Sequence, residues 1–413
     1  MKQHKRLART LLGLAAAGGA ALAGEETVAQ ELPPPSGECD WCQCLTDKLG
    51  QPLYQNKDAM LIQAVRLFGR AQFQFAVIDG EDVNGDEFSN TFEEIRRLRL
   101  GVDLQALKYF KLHANANFAH DLTPAGGDRD MGYHSLDMGV VSLNAGALLG
   151  SGFVDTLTLS YGRQKVALGQ EVKTSSKRVK TVERSAPANK IYPNRMTGAT
   201  VRATKGNLSA TVGVFSTDFS NEIADWSAGA AFYASGSLEL GNGDALTLDF
   251  LYNDANGSAD NQISDHTGMN LYEWAAALGY AAERGPWEFL AQASLGDNGG
   301  SQATYRGGNF WGFVGMASYD VIADKLEAVA RYACQGADEK EGIRSNSRYL
   351  RRDHGGNVSS GRGDENHSVY AGLNYFLCGH NAKIMGGVEY ENLQTMIGDA
   401  DALTWWLAFR SYF

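Results

Sequence analysis

Leu403-Thr404-Trp405-Trp406-Leu407-Ala408-Phe409-Arg410-Ser411-Tyr412-Phe413 is the last stretch of the chain, and its reading decides the fold. Counted back from Phe413, the alternate residues Phe409, Leu407, Trp405 and Leu403 are apolar. The other set, Tyr412, Arg410, Ala408, Trp406 and Thr404, is mixed. Side chains of a strand alternate between its faces, so the segment reads as a strand with one greasy and one mixed face. A long strand with an apolar face is not left as an open edge in water. Two settings accept it: the last strand of a soluble sandwich, or the closing strand of a barrel whose greasy face meets lipid.

Upstream, a period of two runs back to about Val65. It defines sixteen candidate strands at 65–78, 92–106, 108–121, 133–144, 153–165, 198–204, 208–216, 226–240, 245–253, 270–283, 286–296, 308–321, 325–335, 367–378, 381–394 and 403–413. In the first, Val65, Leu67, Ala71, Phe73, Phe75 and Val77 oppose Arg66, Arg70, Gln72 and Gln74. In the second, Leu98, Leu100, Val102 and Leu104 oppose Arg97, Arg99, Asp103 and Gln105. In the third, Phe110, Leu112, Ala114 and Phe118 oppose Lys111, His113, Asn115, Asn117 and Asp121. Alternation of this kind fits a sandwich as well as a barrel.

The connections separate the two. Joins after even strands are tight, as at Lys205-Gly206-Asn207, Arg284-Gly285-Pro286 and Gly379-His380. Joins after odd strands are longer: 79–91, 122–132, 166–197, 217–225, 254–269, 297–307, 336–366 and 395–402. Short turns on one rim and long loops on the other are the pattern of an outer-membrane barrel. The expectation is an all-β, sixteen-stranded antiparallel transmembrane barrel, with short periplasmic turns, long extracellular loops and water in the middle. The terminal aromatic Phe413 resembles the sorting signal read by the outer-membrane assembly machinery, although Ser411 stands where an apolar residue is usual.

Composition agrees. Glycine is abundant (48), proline scarce (8), and aromatic residues reach 10%, which suits strands and turns better than helices. A net charge of −11 argues against a nucleic-acid partner, which calls for a basic footprint. No later stretch is long and apolar enough for a spanning helix.

The N-terminus reads as an export signal. Lys2, Lys5, Arg6 and Arg9 precede the apolar run Leu11 to Ala23, with Ala21-Leu22-Ala23 or Thr27-Val28-Ala29 as cleavage sites. The organisation that follows is signal peptide 1–23, periplasmic leader 24–64 and barrel 65–413. The leader carries Cys39-x-x-Cys42-x-Cys44, with Cys334 and Cys378 far away. The cluster could hold a metal through Cys39, Cys42 and Cys44, but no His lies nearby as a fourth ligand. A local disulfide plus a spare thiol in an oxidising periplasm is the plainer expectation.

Three stretches resemble the phosphate-selective porin O/P family. One is Arg96-Arg97, then Lys108-x-x-Lys111 running into Asn115-x-Asn117. The second is Gly162-Arg163, Gly169-x-Glu171-x-x-Thr174-Ser175-Ser176-Lys177 and Glu183-Arg184-Ser185. The third is Leu326 to Tyr332 with Tyr370-Ala-Gly-Leu-Asn374-Tyr375. The resemblance implies a trimeric barrel whose third surface loop folds into the lumen as a constriction, with an arginine ladder on the approach. It places Lys111 and Lys177 at constriction-lysine positions. A third such lysine falls on Val172, beside Lys173. Arg96 and Arg97 match part of the ladder, while Gly229 to Tyr233 offers none of its later arginines.

Charge counting singles out the same loop. Residues 166–197 carry Lys173, Lys177, Arg178, Lys180, Arg184, Lys190 and Arg195 against Glu171 and Glu183, or +5 inside a chain of −11. A narrow pore focuses such a field and concentrates anions. Lysine binds phosphate as a mobile point charge, so the ion can leave again. The expected anion site is Lys111, Lys173, Lys177, Arg178, Arg184, Arg96, Arg97 and Arg163, with no cofactor. The expected function is passive diffusion of small hydrophilic solutes, preferably anions such as phosphate. The alternatives are a non-selective porin and an adhesive surface protein anchored by its barrel. Enzymatic readings find no Gly-x-Ser-x-Gly elbow and no His-Glu-x-x-His. The mixed-charge loop 336–366 reads as exposed surface.

Overall fold

The computed structural model describes residue 42 and residues 50–122, 131–150, 152–218, 221–226, 229–254, 272–299, 305–345, 349–350 and 358–413. The signal segment, Cys39 and Cys44 lie outside the described residues.

Sixteen strands form one closed antiparallel barrel: β1 Ile62–Glu81, β2 Glu87–Ala106, β3 Phe110–Leu122, β4 Ser135–Asn144, β5 Thr156–Lys165, β6 Arg195–Lys205, β7 Leu208–Ser216, β8 Ala230–Leu240, β9 Asp244–Asn253, β10 Trp274–Arg284, β11 Trp287–Asp297, β12 Asn309–Ile322, β13 Leu326–Ala337, β14 Glu365–Phe376, β15 Ala382–Thr395 and β16 Gly398–Tyr412. Each pairs with its sequence neighbours, and β16 closes on β1 from Asp401↔Glu81 to Tyr412↔Arg70. Closure leaves no edge, so every strand pairs on both sides. All sixteen expected strands are present.

The last strand has the two faces its sequence shows. Trp405 and Leu407 are 54% and 55% exposed on the outside, whereas Trp406 and Arg410 are 6% and 2% exposed on the lumen side. Leu67, Phe73, Leu100, Leu278 and Phe313 continue the outer apolar band around the barrel. A band of that extent would aggregate in water, but it matches lipid. Trp287, Phe289 and Tyr319 cluster at the short-turn end as an interfacial girdle. No described helix is long and apolar enough to cross a membrane.

The rims differ from expectation in three places. β1 and β2 extend further than their apolar pattern, which leaves only 82–86 between them, and β15 and β16 are joined by 396–397. The β4–β5 join is longer than a tight turn because a short helix, α1 Ala145–Leu149, is inserted there. The long-loop asymmetry therefore rests on the middle loops.

The cysteines also pair otherwise. Cys42 bonds to Cys378 in the β14–β15 turn, 336 residues away, and Cys334 is a free, buried thiol. Adjacent spacing made a local bond look natural. Folding instead brings Cys42 to the β14–β15 turn, where its sulfur also lies 3.1 Å from the Leu377 carbonyl oxygen. A short strand, Pro52–Gln55, then pairs with β1 at Arg66, Val65 and Ala64. β16 ends at Tyr412, opposite Arg70, so this strand occupies the edge of β1 that β16 does not reach.

Candidate functional site

The third loop on the long-loop rim, 166–194, folds into the lumen. Two short helices shape it, α2 Gln170–Lys173 and α3 Ala186–Lys190. Its first turn lies against the β9–β11 wall. Gly169 there has φ +81°, and a Cβ would sit 2.5 Å from the Gln292 amide, so only glycine fits. The Gly169 N–H donates to Asp249 at 2.8 Å, and the Glu171 N–H donates to Gln292 at 3.1 Å.

The motif residues of this loop are its fastenings. Glu171 is buried; its carboxylate accepts from the Ser185 N–H at 3.0 Å and from the Ser185 hydroxyl. Ser185 caps α3 by accepting from the Ala188 N–H. Thr174 donates to the Gln170 carbonyl, and Arg184 donates to the carbonyls of Glu171 and Thr174. Arg184, expected to face anions, therefore stitches the loop together.

The opposite wall holds the loop through its backbone. Arg331 of β13 donates to the Glu183 carbonyl at 2.8 Å and pairs with Glu389 at 2.7 Å and Glu171 at 3.3 Å. Lys383 of β15 donates to the Val179 carbonyl at 2.5 Å, Arg410 of β16 to that of Val182, and Lys165 of β5 to that of Val172. Tyr412 donates to the Ser176 carbonyl at 2.7 Å. Arg331, Lys383 and Arg410 are buried against carbonyl dipoles and fix the loop rather than line a channel, whereas Lys165, on the loop's own β5 side, donates to a carbonyl and also stands among the basic residues of that wall.

The other expected residues divide accordingly. Lys173 pairs with fully buried Asp249 at 2.6 Å and donates to Ser235; Val172 is buried. Arg96 pairs with Glu183 at 2.7 Å, and Arg97 donates to Gln72 at 2.9 Å. Strict alternation would turn one of these two outward. A β-bulge, where Gln72 faces Arg97 but Phe73 faces Ile95, turns both inward. Arg163 donates to the Leu136 carbonyl at 2.9 Å. Arg178 is exposed, and Lys177 is half-buried.

Beyond these bonds, a continuous basic track runs along β1–β6. Arg163 lies within electrostatic reach of Arg195, and Arg195 of Lys165 and Arg99. Lys165 and Arg99 are in reach of Arg70, Arg70 and Arg66 of Lys177, and Arg66 of Lys111. Asp137 and Asp103 are the carboxylates set into this track: Asp137 takes Arg99 at 2.7 Å and Arg195 at 2.8 Å, and Asp103 takes Arg66. Glu222 adds a third carboxylate beside Arg163, so among the described residues eight basic side chains face three carboxylates. Burial, then Arg178, Arg66 and Arg70, pushes the Lys177 ammonium below its ordinary range. Among the described residues no carboxylate pairs with Lys177 or Arg70.

Sequence reasoning placed Arg66, Arg70 and Arg99 on the lumen side but not in the site, and it passed over Lys165. Their signal was weak, since each is a single charge on an alternating strand. Across the lumen the sign reverses. Lys180 pairs with Glu288 at 3.0 Å and with Glu327, and Glu283 and Asp320 stand close by.

A closed sixteen-strand barrel, greasy outside and crossed by an inward loop, is the architecture of an outer-membrane porin. The chain belongs to the phosphate-selective porin O and P family, whose pattern matches residues 65–388. No curated protein matches it in sequence. Among solved structures it is similar to the anion-selective porin from Comamonas acidovorans, with 13% identity, TM-score 0.52 and coverage of 84% of this chain and 99% of that one. It is similar to the outer membrane channel DcaP of Acinetobacter baumannii, at 14%, 0.52, 87% and 100%. The outer membrane protein OmpT of Vibrio cholerae follows at 12%, 0.53, 88% and 100%. Likeness at this identity concerns the fold. The protein is thus a porin of the bacterial outer membrane.

Proposed function

We propose that the barrel carries small anions by passive diffusion, past a constriction formed by the third loop and the β1–β6 wall. The observation that carries this reading is the basic track from Arg163 to Lys111, with Lys177 reaching in from the loop. Phosphate or a similar oxyanion meets several cations in sequence and no rigid bidentate cage, so binding is strong enough to enter and weak enough to leave. Lys111, Lys177 and Arg178 act at the path. Lys173, Arg96, Arg163 and Arg184 position the elements that form it. A homotrimer, seated in outer-membrane lipid and inserted through its C-terminal strand, is the proposed assembly. One solved neighbour, OmpT of Vibrio cholerae, has a trimer form.

Planar-bilayer recording in a salt gradient tests the reading. A steady conductance is expected, with zero-current potential on the anion side and block by added phosphate. Cation preference would refute it.

A further inference from the structure

The loop 336–366 reads as exposed surface in the sequence, yet part of the observed seventh loop, 338–364, is sealed inside the barrel. Tyr349 and Leu350 are both 0% exposed. The Tyr349 ring stacks on Phe92 of β2 with centroids 4.2 Å apart, and it tilts against Trp406 of β16 at 5.3 Å. Its hydroxyl donates to Glu94 at 3.0 Å and accepts from Gln74 at 3.1 Å. Around the pair lie Ile78, Tyr370, Met385 and Val182, the last from the third loop.

This lumen wall is built to be covered. The inward face of β16 carries Ala400, Ala402, Trp406 and Ala408 beside the stopper, interrupted by Thr404 and ending in Arg410 and Tyr412, which hold the third loop. Tyr370 lies over Gly372 and Gly387, where a Cβ would meet its hydroxyl at 2.5 and 2.4 Å, so the wall is thinned to admit packed side chains. The result is a close-packed cluster against the β16–β1 seam, with Arg163 and Arg195 further round on β5 and β6.

We infer that Tyr349 and Leu350 form a fixed stopper, which closes the seam side of the lumen and directs solute onto the basic track. This rests on the anion-channel reading and adds a specificity determinant to it. Without the stopper, a second path opens past Glu94, Gln74 and the Arg96–Glu183 pair, a lining with two carboxylates to one guanidinium, which does not favour anions. A pair seated among eleven other buried apolar residues is not a mobile lid.

The test uses the Tyr349→Ala/Leu350→Ala porin, shown to be folded by heat-modifiable migration and reconstituted in bilayers. Conductance is expected to rise, and the zero-current potential to shift toward zero. Unchanged conductance, or a rise with the anion preference intact, overturns the inference. The wild-type recording tests the channel reading separately. Should the double variant fail to fold, thiol labelling decides. Leu350→Cys should resist a charged, membrane-impermeant thiol reagent under conditions that label Lys177→Cys, with the wild-type protein as background for Cys334. Ready labelling of Leu350→Cys overturns the stopper whatever the conductance.

Discussion

Lys177→Glu is the sharpest perturbation of the proposed path. Lys177 is half-buried on the inward loop, in reach of Arg66, Arg70 and Arg178, and unpaired with any described carboxylate. Its charge is therefore spent on whatever passes. An anion about 6 Å away in fully water-like surroundings gains about 0.7 kcal/mol from one unit charge, and sign reversal changes this by about 1.4 kcal/mol, or tenfold in occupancy. Protein walls lower the effective dielectric and raise the figure, while salt screens it, so the recordings belong at low ionic strength. The new carboxylate would also pair with Arg66 or Arg70 and remove their field. The assay is the anion-to-cation permeability ratio from zero-current potentials. It should fall about tenfold or more, and phosphate block should weaken. Lys173→Gln is the control. It removes the same charge from the same loop, but from a cation already matched by Asp249. It should lower stability and leave selectivity near wild type. A folded Lys177→Glu porin with a ratio changed by less than about twofold would refute the placement of Lys177 on the path.

Three further outcomes follow. Arg331→Met leaves Glu389 and Glu171 buried without their shared cation, a loss of about 3–5 kcal/mol; unfolding in denaturant should move to a lower midpoint, with noisier single-channel current as the loop loosens. Burial pushes the Lys190 ammonium down to about 7, against about 10.4 in the unfolded chain. The unfolded state thus binds more proton between those values, and stability should rise from pH 7 to pH 10; Lys190→Met should flatten that slope in pH-dependent melting. Cys42→Ser cuts the tie to Cys378, so hydrogen exchange should accelerate across Pro52–Gln55 and the start of β1 while the β9–β12 wall stays protected.

Alternation alone assigned the outward and inward faces of β1, β3, β16 and of β2 from Arg97 onward, because a period of two leaves no freedom where a strand pairs on both sides without a bulge. The charge excess in 166–197 marked the constriction loop before its position was known. What the alternation could not give was the use of each charge. Arg184 reads as part of the anion site, Arg410 as one polar residue of a mixed face, and Lys165 and Lys383 stand out not at all, yet each donates to a carbonyl of the inward loop. Arg96 needed a bulge that no local pattern announces. The Cys42–Cys378 bond joins segments 336 residues apart. Tyr349-Leu350 between basic residues looked like an incident in a polar loop.

The sequence by itself determined the barrel: strand count, facing, the rim that bears the long middle loops, and a positive third loop. These are one-dimensional properties, since period and spacing survive without knowing which strands meet across the lumen. Only the tertiary structure decided which cations hold backbone, and that Tyr349 and Leu350 pack inside the barrel. Those outcomes depend on which side chains converge on one carbonyl or carboxylate from distant strands, and burial at such a convergence, not residue type, sets whether a charge is fixed or available.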